Sequence, residues 1–199
     1  PNVHPSHEEN ISVIINETMR CREIVRNLLD FARRDIPILQ SINPNMAIEQ
    51  TLQLVRKLSN FQDIEISRKL GETLPFIQCD PQQITQVLLN LMLNAADAIG
   101  GRGKIEIETG YNKKIDKCFI SISDNGPGVS EGKREKIFEP FFSTKGTNGL
   151  GLAISWEIIQ GHDGCIEIGQ SSLGGAVFTI LLPPFIQTVS DQEKRDKNG

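Results

Sequence analysis

The chain has 199 residues, 38% of them hydrophobic and 23% charged, with a net charge of −4. That length allows one good core plus an appendage, and the composition is that of an ordinary globular protein. The acidic balance excludes a general nucleic-acid binder, which carries a basic excess, and no apolar run is long enough to span a bilayer.

Cys21, Cys79, Cys118 and Cys165 are far apart and none has CxxC spacing. Neither a zinc site nor a disulfide framework is indicated, and a reduced, cytoplasmic setting is the simplest reading. The chain opens Pro-Asn-Val-His without an initiator Met. It reads as a piece of a longer protein, and a membrane anchor elsewhere in that parent stays open.

Residues 6–34 contain no Pro or Gly, and Ile11, Ile14, Thr18, Cys21, Val25, Leu28 and Ala32 recur at alternating steps of three and four. That is a heptad seam on a long amphipathic helix, which needs a partner helix to bury its stripe. Packing on the following domain is the plainer alternative. Pro37 and the Ser41–Pro44 stretch end the pattern, so the domain boundary falls near residue 37.

Beyond it the spacing predicts helices over 45–58, 80–99, 130–137 and 150–160. Strands are predicted over 64–66, 76–77, 104–109, 117–123, 165–169 and 176–182. Asp80-Pro81 supplies an N-cap and a first-turn proline. Residues 187–199 form a charged tail that reads as disordered. This order predicts an α+β fold, a two-layer sandwich with helices on one face of a mixed sheet. The predicted organisation is therefore an N-terminal helix over 1–36, a catalytic domain over 37–186 and the tail.

Three stretches carry chemistry. In "QVLLNLMLNAADAI", Asn90, Asn94 and Asp97 share one helical face, and small neighbours allow something to approach closely. Asn and Asp oxygens are hard ligands suited to Mg²⁺, although a solvated polar face would look the same. "DNGPGV" places Asp124 at a strand end with Gly126 and Gly128 just after it. Such a carboxylate can accept from an exocyclic amine, although a plain turn uses the same residues. "FEPFFSTK" leads through Lys145 to "GLGLAIS", which opens a helix at Gly149, Leu150, Gly151 and Leu152. Helix amino termini favour anions, and a lysine on a glycine-bearing loop can meet phosphates as a point charge.

In this order the three stretches resemble the catalytic and ATP-binding domain of sensor histidine kinases, the Bergerat-type fold shared with gyrase, the MutL repair proteins and the ninety-kilodalton heat-shock chaperone. The resemblance covers roughly residues 42–184. Upstream, "RCREIVRNLLDFAR" looks like the second helix of the dimerisation and phosphotransfer hairpin of nitrogen-regulation-type kinases. "GHDGCIEI" and "GGAVFTILLPP" look like the closing strands of the domain.

The resemblance implies ATP and Mg²⁺ as ligands. It makes Asn94 the Mg²⁺ ligand, with Asn90 beside the phosphates; Asp97 stands where some of these kinases carry a basic group, matches the gyrase and chaperone pattern better, and would act on the metal through water. Asp124 would accept the adenine amino group while Gly126 and Gly128 let the loop pack on the base. Lys145 would reach the γ-phosphate from the lid, and residues 149–152 would lay backbone amides on the phosphates. It further implies a homodimer through the hairpin helices, a response-regulator receiver domain as partner, and no contact of this piece with membrane or nucleic acid.

Some features depart from that pattern. "SHEEN" at residues 6–10 echoes an acceptor box without its proline, and too few residues separate His7 from Arg20 for a complete first helix. The phosphoacceptor His is thus expected outside this piece, with His4 and His7 as linker residues and His162 as a turn residue. Only Gly146, Thr147 and Asn148 separate Lys145 from Gly149, a short lid, and Ala176 stands where Thr is common. The alternatives are a gyrase- or repair-type ATP-hydrolysing clamp and a non-enzymatic dimerisation module.

Overall fold

The computed structural model describes residues 11, 18, 37–142 and 149–185. Lys145, His4, His7, the rest of the N-terminal stripe and the charged tail lie outside the described residues. Ile11 and Thr18, two positions of the predicted seam, are helical and exposed.

The central sheet forms because its strands alternate. In β4 (Gly103–Asn112), Ile105, Ile107 and Thr109 are buried while Lys104 and Glu108 are exposed. The antiparallel register sets Ile107 opposite Ile122 of β5 (Lys117–Asp124) and Ile122 opposite Phe178 of β7 (Ala176–Leu182). One face of the sheet is therefore a continuous apolar layer. With β2 (Ile64–Leu70) and β6 (Cys165–Gln170) at the edges, the strand order is β2-β4-β5-β7-β6. The β2–β4 pair is parallel and the other pairs are antiparallel, giving the predicted mixed sheet.

Among the described residues, three helices cover the apolar layer. They are α1 (Pro44–Val55), α2 (Pro81–Ile99) and α3 (Gly151–Gln160). Helix α2 is the central one. It buries Ile84, Val87, Leu88, Leu91 and Met92, each 1% exposed or less. Truncating one such Leu to Ala costs about 2–5 kcal/mol. Asp80 caps the helix by accepting from the Gln82 and Gln83 amides at 2.9 and 3.3 Å, and Gly100 ends it at φ 68°.

Two expectations are corrected. The sequence of residues 130–137 predicts one short helix; it folds instead as two 3₁₀ turns, Glu131–Lys133 and Lys136–Phe138. Five charged residues and Gly132 leave that stretch too little apolar periodicity for a helix. Residues 40–42, placed in a break, form β1 (Gln40–Ile42), which pairs with β3 (Ile77–Cys79) in a separate two-stranded sheet.

Candidate active site

The site is built where the β5 end, the α2 face and the start of α3 converge. At the β5 end, Asp124 is 2% exposed. Its Oδ1 accepts the Gly126 amide at 2.8 Å and the Ala176 amide at 3.2 Å, and its backbone carbonyl accepts the Gly175 amide at 3.1 Å. A buried carboxylate needs such donors, and backbone N–H groups supply them without adding side-chain bulk.

Glycine makes this packing possible. A Cβ on Gly175 would lie 2.6 Å from both the Asp124 carbonyl oxygen and the Gly126 nitrogen. Gly126 sits against Ala98 of α2, where a Cβ would be 3.1 Å away, and Gly128 turns at φ 73° against the Gly175 carbonyl. Asn125 holds the loop to β4, its Oδ1 accepting the Lys104 amide at 2.8 Å. A carboxylate in a cage with walls this thin can meet a flat, nitrogen-rich partner edge on.

The α2 face presents Asn90, Asn94 and Asp97, as the spacing predicted. Asn90 is half-buried and donates from Nδ2 to Ser155 Oγ of α3 at 2.9 Å. Gly151 lies so close that a Cβ there would overlap the Asn90 amide. Asn94 is half-buried, and its Nδ2 is a buried donor without a hydrogen-bond partner among the described residues. An orphaned buried amide costs about 1–3 kcal/mol, so its position fits a polar ligand. The oxygen of the same amide is a hard donor suited to Mg²⁺. Asp97 is exposed at the end of α2, on the rim of a cleft of about 520 Å³ shared with Ser59, Asn60 and Asp63.

Helix α3 begins at Gly151 with no side-chain cap. No side chain among the described residues takes its first amides, and their positive dipole end favours an anion. Leu150 is 1% exposed and anchors this start in the core; Gly151 and Leu152 are half-buried beside it. Gly149 turns at φ 61° and its carbonyl accepts the Phe141 amide at 3.0 Å. Phe138 packs on Trp156 of α3, ring centroids 5.0 Å apart, whereas Phe141 is 68% exposed and held at φ 67°.

The structure therefore brings together Asn90, Asn94, Asp124, Gly126, Gly128 and residues 149–152, whereas Asp97 lines the cleft with Ser59, Asn60 and Asp63; Lys145 lies outside the described residues. Three participants were not read from the sequence. Ser155, buried on α3, anchors Asn90, and Gly175 walls Asp124. His162, expected as a turn residue, is 4% exposed with both ring nitrogens hydrogen bonded. The "GGAVF" pair was a signal for Gly175, but its close approach spans 51 residues and is visible only in the fold.

Residues 79–186 match the family described as histidine kinase-, DNA gyrase B- and HSP90-like ATPase. The chain is 38% identical over 180 residues to the signal transduction histidine-protein kinase AtoS of Escherichia coli, covering 90% of this chain and 29% of that protein. It is 40% identical over 179 residues to the sensor histidine kinase ZraS of Salmonella typhimurium, covering 89% of this chain and 38% of that one. It spans only about a third of the length of these curated relatives. Among solved structures, histidine kinase ThkA in complex with the response regulator protein TrrA superposes with a TM-score of 0.78 at 30% identity, covering 93% of this chain and 53% of that one. The catalytic domain of ThkA in a nucleotide-free form gives 0.66 at 34% identity, covering 73% of this chain and 95% of that one.

Proposed function

The chain belongs to the histidine kinase-, DNA gyrase B- and HSP90-like ATPase family, and from that premise we propose that it binds Mg-ATP as the catalytic part of a sensor histidine kinase and transfers the γ-phosphoryl group to a histidine. The observation that carries the nucleotide reading is Asp124, 2% exposed and ringed by backbone amides at the β5 end. A buried carboxylate held this way is a fixed acceptor, and an amino group on a planar heterocycle is the donor it suits. Asn90, Asn94 and the uncapped α3 start lie across the site from it, where a polyphosphate attached to that base would run.

In this reading Asp124 selects the base, and Gly126 and Gly128 keep side chains out of its plane. The Asn94 amide holds the metal, and Asn90, oriented by Ser155, stands beside the phosphates. The α3 amides take the anion, Asp97 acts at the rim, and Lys145 adds a positive charge. Bound Mg²⁺ would supply neutralisation of phosphate charge. The residues of the chain supply position, which is most of what phosphoryl transfer asks of a protein.

The acceptor histidine belongs to a hairpin helix outside residues 37–186, the hairpin pairs two copies of the parent protein, and a response-regulator receiver domain takes the phosphoryl group onward. The relatives' names and the kinase–regulator complex support this part of the reading. Among the described residues no helix is long and apolar enough to cross a membrane.

Calorimetric titration with Mg-ATP tests the binding step. The chain should bind, and Asp124→Ala should lose affinity by about a hundredfold or more, the scale of an unpaired buried recognition group. Equal binding by both proteins would remove the reading. Transfer from labelled ATP to a separately supplied acceptor-hairpin domain tests the kinase step. Steady ATP hydrolysis without transfer would favour a clamp ATPase instead.

A further inference from the structure

His162 follows α3 and lies 82 residues from its partner in α2's cap. Its Nε2 accepts the Asp80 backbone N–H at 2.9 Å, and its Nδ1 faces the Ile158 carbonyl at 2.7 Å. The carbonyl can only accept, so Nδ1 carries the proton and Nε2 is the acceptor. The Asp80 amide, as an N-cap group, has no helical partner of its own. Meanwhile the Asp80 carboxylate caps α2 through Oδ1 and accepts the Ile38 amide at 2.9 Å through Oδ2. One imidazole and one carboxylate thus join the end of α3, the foot of α2 and the segment just before β1.

Resting on the ATP-binding reading above, we propose that His162 is a positioning residue for the phosphate end of the site. Helix α3 spans about 15 Å. Near its start it is tied to α2 by the Asn90–Ser155 hydrogen bond and the close Gly151 contact. At its far end His162 ties it to Asp80. Both ties add to the core packing of Leu150, Ile154 and Ile159; without the far one, that end is held by packing alone and the helix can pivot about Asn90. A pivot moves the α3 amides relative to Asn90 and Asn94, while Asp124, on β5, stays put. The Ile38 bond extends the same restraint to the segment leading into the domain. A shift in that segment is therefore felt first at the phosphate end.

The test compares Mg-ATP with adenosine, which lacks phosphates, on the full chain held well below each variant's melting temperature. His162→Leu should weaken Mg-ATP about tenfold and leave adenosine within about twofold. His162→Gln, which can still accept the Asp80 amide, should restore most of the ATP affinity, and His162→Asn, which can reach only the Ile158 carbonyl, should behave like Leu. If His162→Leu fails to fold, the Gln and Asn pair decides. Amide exchange at Ile38 should quicken about tenfold in the Leu or Asn variant. ATP affinity unchanged in every variant, or ATP and adenosine weakened equally, overturns the proposal; unchanged Ile38 exchange overturns its extension to the incoming segment. Wild-type chain that binds no Mg-ATP would instead overturn the functional reading beneath it.

Discussion

The two ends of the site are made of different materials. The Asp124 end is backbone and glycine: one carboxylate, three main-chain donors and walls that admit no Cβ. The Asn94 end is side chains on two helices, with an unpartnered amide and an uncapped helix start. The first end is satisfied before any ligand arrives; the second keeps polar groups in waiting. Recognition of a rigid, uncharged ring gains from preorganisation. A charged chain with a metal needs groups that are open until it comes. The fold places the first on the sheet and the second between helices, so that one can stay fixed while the other adjusts.

After the loss of Asp124 itself, the largest effect should come from closing the cage. In Gly175→Ala the new methyl meets the backbone of Asp124 and Gly126, neither of which can swing away. The β5 and β7 ends must part, with loss of the Gly175 and Ala176 hydrogen bonds to Asp124. Adenosine and Mg-ATP should weaken together, by about thirtyfold or more, and chemical denaturation should show a loss of about 1–3 kcal/mol. If ATP falls but adenosine does not, the two ends are not separable in the way described.

Asn94→Ala should do the reverse. It removes a buried donor that has no partner among the described residues and introduces a better helix former. Without nucleotide the variant should be as stable as the wild type or up to about 1 kcal/mol more stable. Its Mg-ATP affinity should fall about tenfold, with adenosine unchanged. A destabilised apo protein would mean that Asn94 serves the fold and not the ligand.

How much of this could be read from the sequence follows the same division. The α2 face was legible because Asn90, Asn94 and Asp97 lie within one helix, where spacing fixes geometry. Asp124 and its glycines were legible as a strand end followed by a turn. The mixed sheet followed from the alternating strands. Gly175, Ser155 and His162 were not legible in these roles, because each works through a partner 51 to 82 positions away. A glycine before a strand, a serine in a helix and a histidine between glycines have common local explanations; His162 does lie in the expected turn, and only the fold adds the tertiary pairing. The 3₁₀ turns at 131–133 and 136–138 were missed for a different reason: their length matches a short helix and their charges conceal the absence of an apolar stripe.

The smallest effects come from two thiols that report on the two ends without touching ligand. Cys118 lies in β5, the strand that carries Asp124, paired on both sides by β4 and β7. Cys79 precedes the α2 cap in β3, a three-residue strand that pairs along its length with β1 and bridges Pro184 through Ile77 alone. Burial pushes the Cys79 thiol up to about 12, with the Asp80 carboxylate adding to it, and burial followed by Asp116 pushes Cys118 up to about 11. Both thiols are therefore neutral in the folded chain at pH 8, and only opening exposes a reactive thiolate. Because the folded values lie above the ordinary one, their contribution to stability is complete below pH 9. It fades as the pH rises toward 11 and 12, so alkaline unfolding should begin above pH 9. At pH 8, peptide mapping after iodoacetamide should find, among the three described cysteines, half-exposed Cys165 alkylated first, Cys79 next through local opening of the β1–β3 pair, and Cys118 last, on global unfolding. Labelling of Cys118 as fast as Cys79 would show that the sheet end opens as readily as the helical end, and the contrast between a fixed and an adjustable half would fail.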